Sequence, residues 1–90
     1  MIRVTNNAKK ELKKLLRSST TDTTIGLRLA LKKLGQFGLV LGKKIRGDQV
    51  VKYSRAKVLI VSQKLTPLLD GITLDIDYTN SKREFVIFKR

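Results

Sequence analysis

The sequence predicts an α+β domain in which an N-terminal helix and a short second helix pack on small mixed or antiparallel β-sheets. The first apolar residues recur at helical spacing, whereas the later segments alternate apolar and polar residues or are rich in β-branched residues. A chain of 90 residues supports one hydrophobic core, so we expect a single domain spanning residues 1–90.

The first helix is predicted over residues 5–18, with Thr5 as its N-cap. The stripe expected to face the core consists of Ala8, Leu12, Leu15 and Leu16. A separate arc carries the basic side chains Lys9, Lys10, Lys13, Lys14 and Arg17. Because Glu11 is the only acid on this helix, its exposed face is predicted to be almost purely basic.

The middle of the chain is predicted to form strands. A polar loop at residues 18–24 precedes a strand whose buried side is expected to carry Ile25, Leu27, Leu29 and Leu31. The segment LGQFG at residues 34–38 interrupts this pattern, and residues 39–45 are predicted to continue in an extended conformation. A turn at residues 47–48 separates them from two further predicted strands, at residues 49–53 and 57–61.

The C-terminal third is predicted to contain a short helix and two strands. Ser62 is the predicted cap of a helix of one or two turns, with Pro67 in its first turn and Gly71 just past its end. Alternation over residues 72–79 predicts a strand, and a turn at residues 80–82 leads into a terminal strand at residues 84–90.

The composition excludes most enzyme chemistry. The chain contains no cysteine and no histidine, which removes disulfides, thiolate ligands and the commonest general base. We therefore expect a protein that is not an enzyme, with no cofactor and no metal site. The apolar runs are short and the N-terminus lacks a signal-peptide segment, so we expect a cytoplasmic protein that does not enter a membrane.

The strong positive charge bears on the choice of partner. Twenty Lys and Arg residues against seven Asp and Glu residues give a formal charge of +13. Such a field attracts anionic partners, although the same charge can simply keep a domain dispersed. One hypothesis is a nucleic-acid-binding surface that combines the basic arc of the first helix with Lys32, Lys33, Lys43, Lys44 and Arg46. A second is an anionic small molecule held over the bend at residues 34–38, which rests on charge alone.

Several motif matches carry little chemistry. The segment GLVLGKK at residues 38–44 lacks the glycine spacing and the hydroxyl of a phosphate-binding loop. Gly35 and Gly38 have the spacing of an RNA-clamping loop but follow a predicted strand instead of joining two helices. The segment SRAK at residues 54–57 matches the Ser-x-x-Lys of acylating enzymes, but it joins two predicted strands and lacks the companion motifs.

A set of short motifs follows one order along the chain. These are IRVTNNAKKELKKLL at residues 2–16, LRL at 27–29, GQFG at 35–38, DQVV at 48–51, VLIVS at 58–62, LLDGITLD at 68–75 and FVIF at 85–88. The set resembles the HesB/IscA family, the A-type iron–sulfur cluster biogenesis domain, over essentially the whole chain. The resemblance implies a compact HesB-like (IscA-like) domain of two helices on small mixed sheets, in agreement with the residue patterns.

The resemblance also implies where cluster ligands would lie. Members of that family hold iron or an iron–sulfur cluster with three cysteines, one in a Gly-Cys-x-Gly bend and two in a Cys-x-Cys near the C-terminus. Here Gln36 stands at the bend position between Gly35 and Gly38, and no Cys-x-Cys occurs up to Arg90. A glutamine amide is a weak, hard ligand for cluster iron. We therefore expect a cluster-free domain that acts by binding a partner, which could belong to the iron–sulfur assembly machinery. The nucleic-acid hypothesis is the alternative.

Overall fold

The computed structural model describes residues 2–33, 36–78 and 82–89, which form one α-helix, one 3-10 helix and seven strands. In chain order the elements are β1 (Arg3–Val4), α1 (Asn6–Ser19), β2 (Ile25–Lys33), β3 (Gln36–Lys43), β4 (Gln49–Tyr53), β5 (Ala56–Val61), the 3-10 helix (Thr66–Leu69), β6 (Ile72–Asp77) and β7 (Glu84–Lys89).

The strands form two sheets. The larger sheet has the order β3-β2-β5-β4, with antiparallel pairs at each end and a parallel pair between β2 and β5. The smaller sheet has the order β1-β6-β7, in which β6 pairs parallel with β1 and antiparallel with β7. This arrangement confirms the predicted α+β class with mixed pairing.

Helix α1 forms for the reasons that its sequence gives. It begins at Asn6, and the Thr5 hydroxyl accepts a hydrogen bond from the Ala8 N–H at 3.2 Å, which makes Thr5 the predicted N-cap. Ala8, Leu12 and Leu16 are buried, and the helix packs against strands of both sheets. Leu15 was predicted to be buried but is 39% exposed, because it lies at the edge of the apolar stripe.

The core lies between α1 and the two sheets. Its most deeply buried side chains include Leu12 of α1, Leu59 of β5, Leu69 of the 3-10 helix and Leu74 of β6. Strand β5 is central in the larger sheet and is buried continuously from Val58 to Val61. A strand covered on both faces needs apolar residues at every position, which explains the unbroken apolar run over residues 58–61.

Two local predictions differ from the structure. The second helix is a single 3-10 turn that begins at Thr66, and the Ser62 carbonyl accepts the N–H groups of Leu65 and Thr66 ahead of it. Pro67 disfavours α-helical backbone at the residue before it, which limits the element to this turn. Strand β1 was not predicted, because two residues show no periodicity.

Within the described ranges, no helix has the length and apolar character needed to cross a bilayer.

Candidate functional site

Gln36, which stands where the resemblance places a ligand cysteine, lies at the start of β3. The strand begins at Gln36, which pairs with Lys33, and it therefore starts three residues earlier than predicted. Gly38 was predicted to shape a bend but lies inside the ladder opposite Ala30, because pairing with β2 continues to the beginning of β3. Gly35 and the side chain of Gln36 lie outside the described part of the structure.

Gly38 has a packing role in this ladder. The aliphatic stem of Lys32 crosses directly over its Cα, and a Cβ added at Gly38 would collide with Lys32 Cε. The glycine lets the Lys32 stem approach the strand, although a larger residue here would only have to displace the flexible end of that exposed side chain.

An apolar groove of about 240 Å³ lies beside the start of β3, between the two sheets. Its side-chain walls are Leu29, Phe37, Leu39, Leu74, Phe85 and Ile87. The lining contains no charged side chain and no polar one. We call this cavity the apolar groove.

Exposed leucines extend this apolar surface along the β2–β3 hairpin. Leu41 lies on the same face of β3 as Phe37 and Leu39, and Leu31 pairs with Phe37 across the ladder. Leu31 and Leu41 are 46% and 45% exposed. An apolar surface of this kind, continuous with a groove, is typical of a protein-binding site.

The residues present do not fit an iron–sulfur cluster. Cluster irons are held by thiolates or, less often, by imidazole, and the sequence has neither. Over residues 2–33, 36–78 and 82–89, no three side chains of the Asp, Glu, His and Cys types form a group that could hold a metal ion. The walls of the apolar groove offer hydrocarbon where a cluster needs donor atoms.

The basic residues of α1 are largely solvated. Lys10, Lys14 and Arg17 are exposed, whereas Lys9 and Lys13 are half-buried. The Lys13 ammonium lies 5.8 Å from the centre of the Tyr53 ring, a cation–π contact that ties the helix to β4.

A nearly buried ion pair fixes the loop that follows β3. Arg28 Nη1 donates to Asp48 Oδ2 at 2.5 Å and to the Lys43 carbonyl at 3.0 Å. The Ile45 N–H donates to the same Asp48 oxygen at 3.0 Å. The Arg28 guanidinium, together with this N–H, holds the pKa of the Asp48 carboxyl below its usual value. The pair could not be found from the sequence, since the partners are twenty residues apart and only Arg28 alternates with apolar residues.

This ion pair lies on the face of the larger sheet opposite α1. Arg28 alternates along β2 with Leu27 and Leu29, which face the core and α1, so its side chain lies on the opposite face of the sheet. The loop that it holds contains Lys44 and Arg46, both of which are exposed.

The predicted basic surface is therefore divided. Lys32 has the same alternation as Arg28 and lies on the far face, Lys43 lies at the end of the edge strand, and the side chain of Lys33 is outside the described part. The structure therefore places Lys32 on the face of the larger sheet opposite α1, apart from the cations of that helix.

Comparisons with known proteins identify the fold. No protein-family profile and no curated protein sequence matches the chain. Escherichia coli SufA, described as involved in biosynthesis of iron–sulfur clusters, has a similar structure with a TM-score of 0.71 and 23% identity over 98% of this chain and 84% of SufA.

Two other solved structures agree. IscA with a [2Fe–2S] cluster has a TM-score of 0.60 at 15% identity, covering 99% of this chain and 82% of IscA. A protein from Aquifex aeolicus, solved by NMR, has a TM-score of 0.62 at 22% identity, covering 99% of this chain and 91% of that protein. At these identities the likeness establishes the fold. The chain has the HesB/IscA-like fold that its ordered motifs predicted.

Proposed function

We propose that this protein is a HesB/IscA-like domain that holds no iron–sulfur cluster and acts by binding a protein partner, with components of the iron–sulfur assembly machinery as the first candidates. The observation that carries the proposal is the apolar groove beside the start of β3, the strand that begins with the former ligand position Gln36. A surface without donor atoms suits side-chain docking and not metal coordination.

The rest of the structure supports a role that needs no cluster. The fully buried side chains form a continuous apolar core through α1, β5 and β6. Burial of these side chains stabilises the fold without a bound cluster. The groove has room for one or two apolar side chains of a partner, and Leu31 and Leu41 widen the contact around it. Buried apolar anchors of this kind usually supply most of the binding energy at protein interfaces.

The charge of the domain indicates the partner's character. With a formal charge of +13, the domain repels basic proteins and attracts acidic ones, which raises the association rate with an acidic surface. The proposal assigns the activity to the cytoplasm, with which a chain free of disulfides is compatible.

The test is binding to purified iron–sulfur assembly proteins from the source organism, each titrated by calorimetry. Leu41→Asp places a charge beside the groove, and Leu68→Asp is the matched control because Leu68 is 65% exposed on the 3-10 helix. We expect Leu41→Asp to raise the Kd of the wild-type complex by about tenfold or more, and Leu68→Asp to leave it within about twofold. Absence of binding at about 100 μM to every assembly protein, or equal losses in both variants, would contradict the proposal.

Nucleic-acid binding is a separate proposal, now restricted to α1. Lys10 and Lys14 are exposed on its outer face, and a charge-reversed Lys10→Glu, Lys14→Glu variant tests them. Binding of labelled single- or double-stranded nucleic acid that falls steeply with salt and disappears in the variant would favour this role. Absence of binding near physiological salt would exclude it.

A further inference from the structure

A cleft of about 570 Å³ opens where α1 ends and β4 turns into β5. Its lining comes from the last turn of α1, the loop at residues 20–23, the first residue of β2 and residues 54–57 of the β4–β5 hairpin. None of these residues lines the apolar groove. The volume is in the range of small-molecule sites. We call this cavity the basic cleft.

The basic cleft combines an apolar base with positive charge. Leu16 is buried, and Ile25 and Ala56 are half-buried, so they form the apolar part of the lining. Hydroxyl groups come from the loop and the hairpin turn. The cations are Arg17, Arg55 and Lys57. An apolar base with a few convergent polar groups is the usual make-up of a ligand site.

The cations of the cleft form no ion pair with a carboxylate among the described residues. Their ion pairs do not include Arg17, Arg55 or Lys57. The one carboxylate in the lining, Asp22, accepts hydrogen bonds from the Thr24 hydroxyl at 2.7 Å and the Thr24 N–H at 2.9 Å, and these bonds lower its pKa. Asp22 therefore stays charged and engaged with its own loop, and the three cations face a cleft that holds a single opposing charge.

The hairpin turn places Arg55 at a costly backbone position. Ser54 and Arg55 form the two-residue turn closed by the Tyr53–Ala56 pair, with φ values of 48° and 70°. Turns of this geometry favour Asn-Gly, because both central residues are left-handed. An arginine where the backbone favours glycine is a local strain, and strain of this kind is concentrated at functional positions.

The carbonyl groups at the C-terminal end of α1 carry partial negative charge and repel an anion. Two hydrogen bonds reduce this repulsion. The Ser19 hydroxyl donates to the Leu15 carbonyl at 2.7 Å, and the Thr20 N–H donates to the Leu16 carbonyl at 2.9 Å. Arg17 adds a cation in the same turn. The three cations therefore dominate the charge that a ligand meets.

We propose that the basic cleft binds a small organic anion in which a phosphate or carboxylate group is joined to an apolar or aromatic body. Arg17 and Arg55 pair with the acidic group, since guanidinium groups bind both anions through two parallel hydrogen bonds. The apolar body packs on Leu16 and Ile25. This site is independent of the apolar groove and of the partner proposed for it.

The experiment is a titration of the labelled protein followed by backbone amide NMR. Phenyl phosphate and benzoate are the probes, because each joins one of the two acidic groups to an aromatic ring. Inorganic phosphate has the acidic group without the ring, and phenol has the ring without the acidic group. We expect phenyl phosphate or benzoate to shift the amides of residues 20–23 and 54–57 and to bind about tenfold or more tightly than inorganic phosphate or phenol. The tighter of the two probes identifies the preferred acidic group.

Arg55→Gly is the decisive variant, because glycine adopts the observed φ readily and the fold is not at risk. Arg46→Ala removes an exposed cation that does not line the basic cleft and is the matched control. We expect Arg55→Gly to weaken probe binding about fivefold or more and Arg46→Ala to change it less than about twofold. Equal losses in the two variants, shifts confined to other residues, equally tight binding of phenol, or no shift at about 10 mM of either probe would overturn the proposal.

Discussion

The apolar groove and the basic cleft differ in the charge of the side chains that line them. Strand β2 contributes to both, with Ile25 in the cleft and Leu29 in the groove, yet the groove has no charged side chain and the cleft has three cations. The formal charge of +13 is therefore not spread evenly over the domain. The two proposed binding sites are separated along one strand, so the overall charge does not by itself identify a functional surface.

The two cavities also differ in how they are built. The groove lies between two sheets and depends on their packing, with Leu74 of β6 as a wall that is 2% exposed. The cleft is built largely from a loop and a hairpin turn beside the end of α1. We therefore expect changes in the groove to affect stability strongly and changes in the cleft to affect it weakly.

The largest expected effect comes from the groove. Leu74→Ala should lower the free energy of unfolding by about 3 kcal/mol, because it removes a buried side chain and leaves a cavity between the sheets. Ile25→Ala in the cleft should lower it by about 1 kcal/mol, since Ile25 is only half-buried. Urea unfolding followed by circular dichroism measures both. Equal losses would contradict the difference in construction.

The effect of breaking the Arg28–Asp48 ion pair should be next in size. Asp48→Ala leaves Arg28 without its partner in a site where the Asp48 side chain is 2% exposed, and it should cost about 2–3 kcal/mol. Glu11→Ala, which breaks the 3.1 Å pair with the 56% exposed Arg83, should cost less than about 1 kcal/mol. A larger loss in Glu11→Ala would show that the loop after β3 is not anchored as described.

The same pair predicts a pH dependence. The folded state holds the pKa of Asp48 below its unfolded value, so the stabilisation is complete above about pH 4 and is lost as the pH falls through the folded-state pKa. The free energy of unfolding of the wild type should therefore decrease more steeply below about pH 4 than that of Asp48→Asn, which does not titrate there. Parallel curves for the two proteins would remove Asp48 from the acid response.

The smallest expected effect is a gain in stability at the basic cleft. Arg55→Gly should raise the free energy of unfolding by about 0.5–1 kcal/mol, because glycine relieves the strain at φ 70° at some entropic cost. Thermal unfolding measures the change. A clear loss of stability would mean that the Arg55 side chain holds the hairpin in the free protein, which would weaken its assignment to a ligand.

Much of the fold was predictable from local patterns. Thr5 and the apolar spacing of α1 specify the helix, and alternation or β-branched runs specify the longer strands. The two residues of β1 were not predictable, because they pair with β6 some seventy residues later. The early start of β3 was hidden by the glycines around Gln36, since their spacing is typical of a bend, whereas Gly38 lies in the ladder beneath the Lys32 side chain.

The candidate sites were less predictable than the fold. Gln36 could be found by its place between two glycines, whereas the groove walls come from both sheets and share no sequence motif. The basic cleft joins Arg17 to Arg55 and Lys57, which are about forty residues apart. A helical pattern groups the cations of α1, whereas only the Arg28–Asp48 pair ties the loop that contains Lys44 and Arg46 to β2.

The central claim is that a HesB/IscA-like fold is retained here without a cluster. Its most direct test is anaerobic reconstitution with ferrous iron, sulfide and thiol, followed by desalting and assays of iron and acid-labile sulfide, with E. coli SufA treated in parallel. We predict less than about 0.1 iron or sulfide per subunit and no visible absorption from iron–thiolate or iron–sulfide bonds. Retention of about one iron and one sulfide per subunit would contradict the claim.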